Sequence, residues 1–180
     1  MAKPKRHKKL TIADVQDLGR VLIDVSNLYP TRFLTERDFF PLVVTYLTGR
    51  IPSVDTEVAA SEGTVDFELR GNNPTWLEIA VQPRSIVDSN CPDVKFPGHK
   101  WRTALYASQN RTELRKLRYE KRGKTRFLLL VDLTGRYDLA TLRGGYLKEV
   151  RGQGPRKGKP VRVVLSTQDP SKDGHFIVRP

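Results

Sequence analysis

The chain has 180 residues, of which 32 are Lys or Arg and 20 are Asp or Glu, so its formal net charge is +12. This excess of cations favours a polyanionic partner, usually nucleic acid and sometimes an anionic membrane surface, although a generally basic soluble protein is the ordinary alternative. The single cysteine, Cys91, excludes an internal disulfide framework and a cysteine-rich zinc site. A chain with one cysteine and no disulfide framework fits a reducing compartment, so we expect a cytoplasmic protein.

Residues 1–10 predict a basic flexible arm, and residues 11–180 predict one domain large enough to bury a sizeable core. The arm could contact phosphates or act only as a solubilising tail. Acidic residues interrupt the stretch that follows it, so the apolar segment of a signal peptide is missing. No apolar run approaches the ~20 residues that span a bilayer, and we expect no membrane partner.

Two helices are predicted at the start of the domain. Thr11 and Asp14 have the spacing of a capping box, and apolar residues recur at helical intervals over 12–28. A second capped helix is predicted from Thr35, with an apolar stripe that ends near residue 47. Pro41 removes one backbone donor, so it either kinks this helix or marks its start.

From residue 56 the apolar residues alternate with polar ones, which is the period of a β-strand. Strands are predicted over 56–60, 64–70 and 75–82, and the turn sequence "GNNP" joins the last two into a hairpin. Residues 83–99 contain three prolines and predict an irregular connection.

The second half of the chain predicts alternating helices and buried strands, with two glycines weakening its second helix. The order of elements, ααβββαβαβ, predicts an α/β domain with a central mixed sheet flanked by helices. In chain order these elements are a long helix over 100–122, a strand over 125–134, a short helix over 137–150, a basic loop over 152–160, a strand over 161–167 and an edge strand over 175–180.

Acidic residues mark one face of the predicted hairpin. Asp66 and Glu68 share a face of their strand, as do Glu78 and Gln82 of the next, because side chains two residues apart point the same way. Directly opposed residues lie ~5 Å apart, where like charges destabilise a sheet unless a cation separates them. A divalent cation with oxygen ligands would solve this, and so would Arg or Lys neighbours. A solvated sheet face is the ordinary alternative.

This arrangement resembles the PD-(D/E)XK nuclease superfamily, which has the restriction-endonuclease-like fold. The resemblance covers residues 35–166 and rests on a helix before the sheet, on Asp66 and Glu78 in a strand-turn-strand context, and on the αβββαβ order. It implies that Asp66, Glu78 and the carbonyl of Ile79 bind Mg²⁺, for which Mn²⁺ can substitute, and that Glu36 adds a direct or water-mediated ligand. The implied reaction is phosphodiester hydrolysis in DNA by an endonuclease.

The chain departs from the family motif Glu-x-Lys, since Ala80 stands where the lysine would orient or activate the attacking water. Gln82 lies two residues further along the same face and could offer a hydrogen bond, but no charge. Lys95 or Lys100 could reach in from elsewhere. The alternative function is therefore a catalytically weak or inactive nuclease-fold protein that binds DNA or RNA as an accessory or scaffolding factor.

Eight basic residues lie between Arg111 and Arg126, and a second basic group lies in the loop after the next helix. They could form a phosphate-binding face beside the site, or a solvated face with ion pairs at helical spacing. We expect DNA more than RNA as the partner, and a homodimer is possible. The predicted phosphate contacts are Arg111, Arg115, Lys116, Arg118, Lys121, Arg122, Arg156 and Lys157.

Overall fold

The structure is a computed structural model that describes residues 9–33, 35–51, 53–70, 74–84, 103–122, 125–153 and 158–179. Within these ranges the chain forms a mixed α/β architecture with helices on both sides of a sheet. Its elements are α1 (Ile12–Leu28), a 3-10 helix (Glu36–Phe39), α2 (Phe40–Thr48), β1 (Val54–Ala60), β2 (Gly63–Leu69), β3 (Thr75–Gln82), α3 (Arg111–Tyr119), β4 (Thr125–Asp132), α4 (Leu139–Gly152), β5 (Val161–Thr167), a second 3-10 helix (Pro170–Lys172) and β6 (Gly174–Val178).

The six strands form one sheet in sequence order, from β1 to β6. The central strands β3, β4 and β5 run parallel, while β1, β2 and β6 pair antiparallel with their neighbours. Every residue of β3 and β4 is buried, as expected for central strands that helices cover on both faces. The predicted mixed sheet flanked by helices is therefore confirmed.

Two apolar cores lie on opposite faces of this sheet. Side chains of α1 and α2 pack on one face, against residues such as Phe67, Leu77 and Leu129. The other face carries α3 and α4, which pack against residues such as Trp76 and Leu128. The candidate site lies on this second face.

The predicted start of the first helix is confirmed, whereas the second α-helix begins later than predicted. Thr11 and Asp14 form the capping box of α1, with the Asp14 amide donating to Thr11 Oγ1 at 3.2 Å. Thr35 and Asp38 form a similar box, but it begins the 3-10 helix rather than α2. Pro41 lies in the first turn of α2, where its missing N–H has no partner to lose. Pro41 therefore marks the start of α2 and does not kink it.

The prediction of one long helix over residues 100–122 is wrong for the part that the structure describes. Turns occupy residues 103–110, and α3 begins only at Arg111. Asn110 Nδ2 donates to the carbonyls of Ala104 at 2.7 Å and Tyr106 at 3.2 Å. These side-chain bonds stabilise the turns in place of a helix, a competition typical of asparagine.

Gly19 lets α1 approach β5 very closely, which predicts a cost for adding a methyl group. A Cβ atom at Gly19 would lie 2.1 Å from Ser166 Oγ and 2.6 Å from Ser166 Cβ. We expect Gly19→Ala to destabilise the protein by about 1–3 kcal/mol, because overpacking outweighs the better helix propensity of alanine.

Urea unfolding measures this cost, and Gly144→Ala in α4 is the matched control. A Cβ atom at Gly144 would meet no heavy atom of the described residues within 4 Å. That variant should gain up to about 1 kcal/mol from helix propensity alone. Equal effects of the two substitutions would contradict close packing at Gly19.

Candidate active site

A cavity of about 250 Å³ lies where β2 and β3 meet the 3-10 helix and α3. The three carboxylates that the sequence analysis singled out, Glu36, Asp66 and Glu78, all line it. The full lining consists of Glu36, Asp66, Glu78, Ala104, Gln109, Asn110, Glu113 and Lys116. We call this cavity the acidic pocket.

Asp66 and Glu78 lie next to each other where the ladder between β2 and β3 ends. The β2–β3 ladder joins Phe67 to Leu77, and the same register would place Asp66 opposite Glu78. The Ile79 amide donates to Asp66 Oδ2 at 2.9 Å. The Asp66 side chain therefore accepts a hydrogen bond that a backbone carbonyl of β2 would accept in a continuous ladder. The Asp66 and Glu78 carboxyl groups are close enough to perturb the pKa values of each other.

The acidic face of the hairpin is not a solvated sheet surface. Glu78 is only 1% exposed, because α3 packs over this side of the sheet. Strand alternation would place Val65 on the face of Phe67, but Val65 packs in the core beside Trp76, on the side of the acids. Both faces of the hairpin are therefore packed, and its acids must be satisfied within the protein.

Lys116 supplies the positive charge of the acidic pocket. Its Nζ lies 2.8 Å from Glu78 Oε1, 2.5 Å from the carbonyl oxygen of Thr64 and 4.0 Å from Glu113 Oε1. The residue is 8% exposed, so it lies inside the pocket and does not belong to an exposed basic face of α3. Glu113 and Lys116 are three residues apart, which places both on the side of α3 that faces the pocket.

Burial and mutual repulsion raise the pKa values of the pocket carboxyl groups. Burial and the Asp66 carboxylate raise the pKa of Glu78 to about 9, although Lys116 opposes the shift. Burial, Asp66 and Glu113 raise the pKa of Glu36 to about 8. Burial also raises the pKa of Asp66. One lysine cannot balance this many acids, so the pocket holds protons near neutral pH when no other cation is bound.

Gln82 does not belong to the acidic pocket, contrary to the expectation that it replaces the motif lysine. Its Oε1 accepts from the Ala104 amide at 3.2 Å and from the Tyr137 hydroxyl at 2.8 Å. The Gln82 amide therefore ties the turns before α3 to the end of β3. These bonds hold Ala104, which lines the pocket.

The donor set of the pocket suits a cation that keeps much of its water shell. Among the described residues, no three His, Cys, Asp or Glu side chains form a ready-made metal centre. Asp66 and Glu78 provide two adjacent carboxyl groups, and Glu78 Oε1 is buried without a well-angled hydrogen bond from any described residue. Mg²⁺ is typically held by one or two carboxylates plus waters, so these residues fit it. The structure describes no contact of the Ile79 carbonyl that would test its predicted role as a ligand.

The predicted phosphate-binding residues do not form one exposed face. Arg118 is 1% exposed, and its Nη1 donates to Gln153 Oε1 at 2.6 Å, so it is not part of an exposed basic face. Lys121 is exposed. Arg156 and Lys157 lie outside the described residues, as do Lys95 and Lys100.

The other three predicted contacts are exposed but form ion pairs. Arg111 Nε lies 2.7 Å from Glu149 Oε1, and Arg115 Nη2 lies 3.2 Å from Glu62 Oε2. Arg122 Nε lies 3.5 Å from a Glu120 carboxylate oxygen. The three arginine side chains are at least half exposed, and ion pairs open to solvent are weak, so an incoming phosphate can compete for these arginines.

Sequence reasoning missed the role of Lys116 and the pocket contacts of Asn110 and Glu113. The Glu-x-x-Lys spacing shows that residues 113 and 116 share a helix face. It does not show that this face turns toward the sheet. Gln109, for which the sequence favours a surface amide over a place in the site, does line the pocket.

Comparison with models of known protein families finds none that matches this chain, and comparison with curated protein sequences finds no match either. Within the described part of the chain, no helix combines the length and apolar character needed to cross a membrane.

Proposed function

We propose that this protein is a Mg²⁺-dependent nuclease of the restriction-endonuclease-like fold that hydrolyses phosphodiester bonds, with DNA the more expected substrate. The observation that carries the proposal is the position of Lys116, whose Nζ lies 2.8 Å from Glu78 Oε1 in the pocket that also contains Asp66 and Glu36. The family motif places an amine beside this glutamate from the same strand. Here α3 supplies the amine, so Ala80 need not abolish activity.

Each pocket residue has a chemical role in the proposed reaction. Asp66 and Glu78 would hold Mg²⁺, whose chemistry there is polarisation of a phosphoryl oxygen and acidification of a water. Lys116 donates hydrogen bonds and places positive charge where negative charge develops in the transition state. The raised pKa of Glu36, about 8, lets this carboxyl take up a proton near the operating pH.

A second candidate is an accessory protein that binds nucleic acid through this fold without cutting it. The observation in its favour is that Lys116 is already engaged by Glu78 and by the Thr64 carbonyl, which leaves its ammonium group less available to a substrate. Metal-dependent cleavage separates the two candidates.

Cleavage of plasmid and of single-stranded DNA in Mg²⁺ or Mn²⁺ tests the proposal. We expect Asp66→Asn to lower the cleavage rate by at least about 100-fold, because it removes a charged ligand. Calorimetry with Mn²⁺ should show the same variant losing metal binding. Asp24→Asn, which changes an exposed acid on α1, is the matched control and should behave as wild type.

Two outcomes decide between the candidates. Absence of metal-dependent cleavage by the wild-type protein, with nucleic-acid binding retained, would favour the accessory protein. Equal cleavage by wild type and Asp66→Asn would remove the acidic pocket from the reaction. The ratio of nicked to linear plasmid additionally shows whether two copies pair to cut both strands.

A further inference from the structure

A second and larger cavity, of about 900 Å³, opens between α3 and α4. One wall carries Arg111, Arg115 and Tyr119, which are four residues apart and form one stripe along α3. Lys148 and Glu149 of α4 line the opposite wall. We call this cavity the α3–α4 groove.

Glycines on α4 keep the groove open. Gly145 and Gly152 both line it, and neither contributes a side chain. A Cβ atom at Gly145 would touch only Ala107 Cβ, at 4.0 Å, and one at Gly152 would meet no heavy atom of the described residues within 4 Å. Larger side chains would fit the helix here but would fill the groove.

The groove is positively charged and has an exposed aromatic ring. Three cations, Arg111, Arg115 and Lys148, line it against one carboxylate, Glu149, and Arg115 also pairs with Glu62, which does not line the groove. Arg111 makes two contacts to that carboxylate, at 2.7 and 3.2 Å, and so neutralises it. Tyr106 is 40% exposed, so its ring is accessible at one end of the groove.

The groove and the acidic pocket meet at the segment before α3. Ala104, Gln109 and Asn110 line the pocket, whereas Tyr106 and Ser108 line the groove. The two cavities thus lie on opposite sides of α3 and share the chain that leads into it. A flexible polymer with one phosphate in the pocket could continue across the start of α3 into the groove.

We propose that the α3–α4 groove binds an unpaired single-stranded flank of the nucleic acid whose scissile phosphate occupies the acidic pocket. This inference rests on the proposed nuclease function. Arg115 and Lys148 contact the backbone phosphates, and a base stacks on Tyr106. Base stacking on an aromatic side chain beside basic residues is how proteins bind single strands with little sequence preference. A paired base could not turn its face to a ring between two helices.

Fluorescence anisotropy with a labelled oligodeoxythymidine tests the groove, in EDTA so that neither metal nor cleavage is needed. Gly145→Leu should weaken binding by about 10-fold or more, since it fills the groove. Gly144→Leu is the matched control: it changes the neighbouring exposed residue of α4, which does not line the groove, and should bind as wild type. Tyr106→Leu removes the ring without altering α4 and should also weaken binding.

The salt dependence of binding gives an independent measurement. Lys148→Gln should reduce the slope of log affinity against log salt by about 0.7, the value for one phosphate contact on a single strand. Thermal unfolding of each variant checks that the fold is retained.

The outcomes distinguish this inference from the nuclease proposal. If Gly145→Leu and Tyr106→Leu both bind the oligonucleotide as wild type does, the groove inference is overturned even where Asp66→Asn abolishes cleavage. Tighter binding of a blunt duplex than of the single strand would overturn it as well. Loss of single-strand binding in both variants supports the groove, whether or not the wild-type protein cuts DNA.

Discussion

Lys116→Met is expected to lower Mg²⁺-dependent cleavage by about 100-fold or more, with metal binding retained. Loss of one preorganised donor from a water-excluded site typically costs this much. Methionine keeps the length and apolar stem of the buried lysine, so the packing of α3 on β2 and β3 should persist. Metal binding should be retained because its proposed ligands, Asp66 and Glu78, are unchanged. The bound cation would also neutralise Glu78 in place of the missing ammonium group. Single-turnover cleavage and Mn²⁺ calorimetry measure the two effects separately.

A rescue experiment makes the test of Lys116 specific. Ala80 is buried on the same face of β3 as Glu78, at the position that corresponds to the motif lysine of the nuclease family proposed above. Adding Ala80→Lys to Lys116→Met would return an amine to the pocket from the strand, and we expect part of the lost rate to return. Lys121→Met, which changes an exposed lysine just beyond α3, is the control and should cut as wild type. Wild-type rates for Lys116→Met would show that this amine has no part in the reaction.

The hairpin acids could be predicted from sequence because the relevant signals are local. Strand alternation fixes which side chains share a face, and the turn chemistry at residues 71–74 fixes which strands pair. Together they bring Asp66 to Glu78 without knowledge of the rest of the fold. The capping boxes of α1 and of the 3-10 helix are equally local, and they were predicted at the correct residues.

The source of the positive charge could not be predicted in this way. Lys116 lies far from Glu78 along the chain, and only the packing of α3 on the sheet brings the two together. Sequence alone predicts that a lysine among many basic residues lies on the surface, because lysine is rarely buried without a partner. The contacts of Gln82 could not be predicted for the same reason, since its partners Ala104 and Tyr137 lie elsewhere in the chain.

The metal-free protein is expected to lose stability as the pH rises from about 6 to about 9. The pKa values of Glu78 and Glu36 are raised to about 9 and about 8 in the folded protein, whereas carboxyl groups of the unfolded chain ionise near 4.5. The folded state therefore binds more protons than the unfolded chain across this range, so its stability falls as the pH rises, until the pH passes the folded pKa values. The contribution is fully present below pH 4.5 and is gone once the pH passes the folded pKa values.

Urea unfolding in EDTA at several pH values measures this loss, and Glu78→Gln should reduce its slope, because the amide has no proton to release. The slope is the test rather than the absolute stability, since the amide also leaves Lys116 without its closest anion. Asp24→Asn, which changes an exposed acid on α1, should keep the wild-type slope.

Mg²⁺ should stabilise the wild-type protein more at pH 9 than at pH 6, because binding competes with protons for the same carboxyl groups. A wild-type slope in Glu78→Gln, or stability that rises with pH in both proteins, would contradict protonation of the acidic pocket.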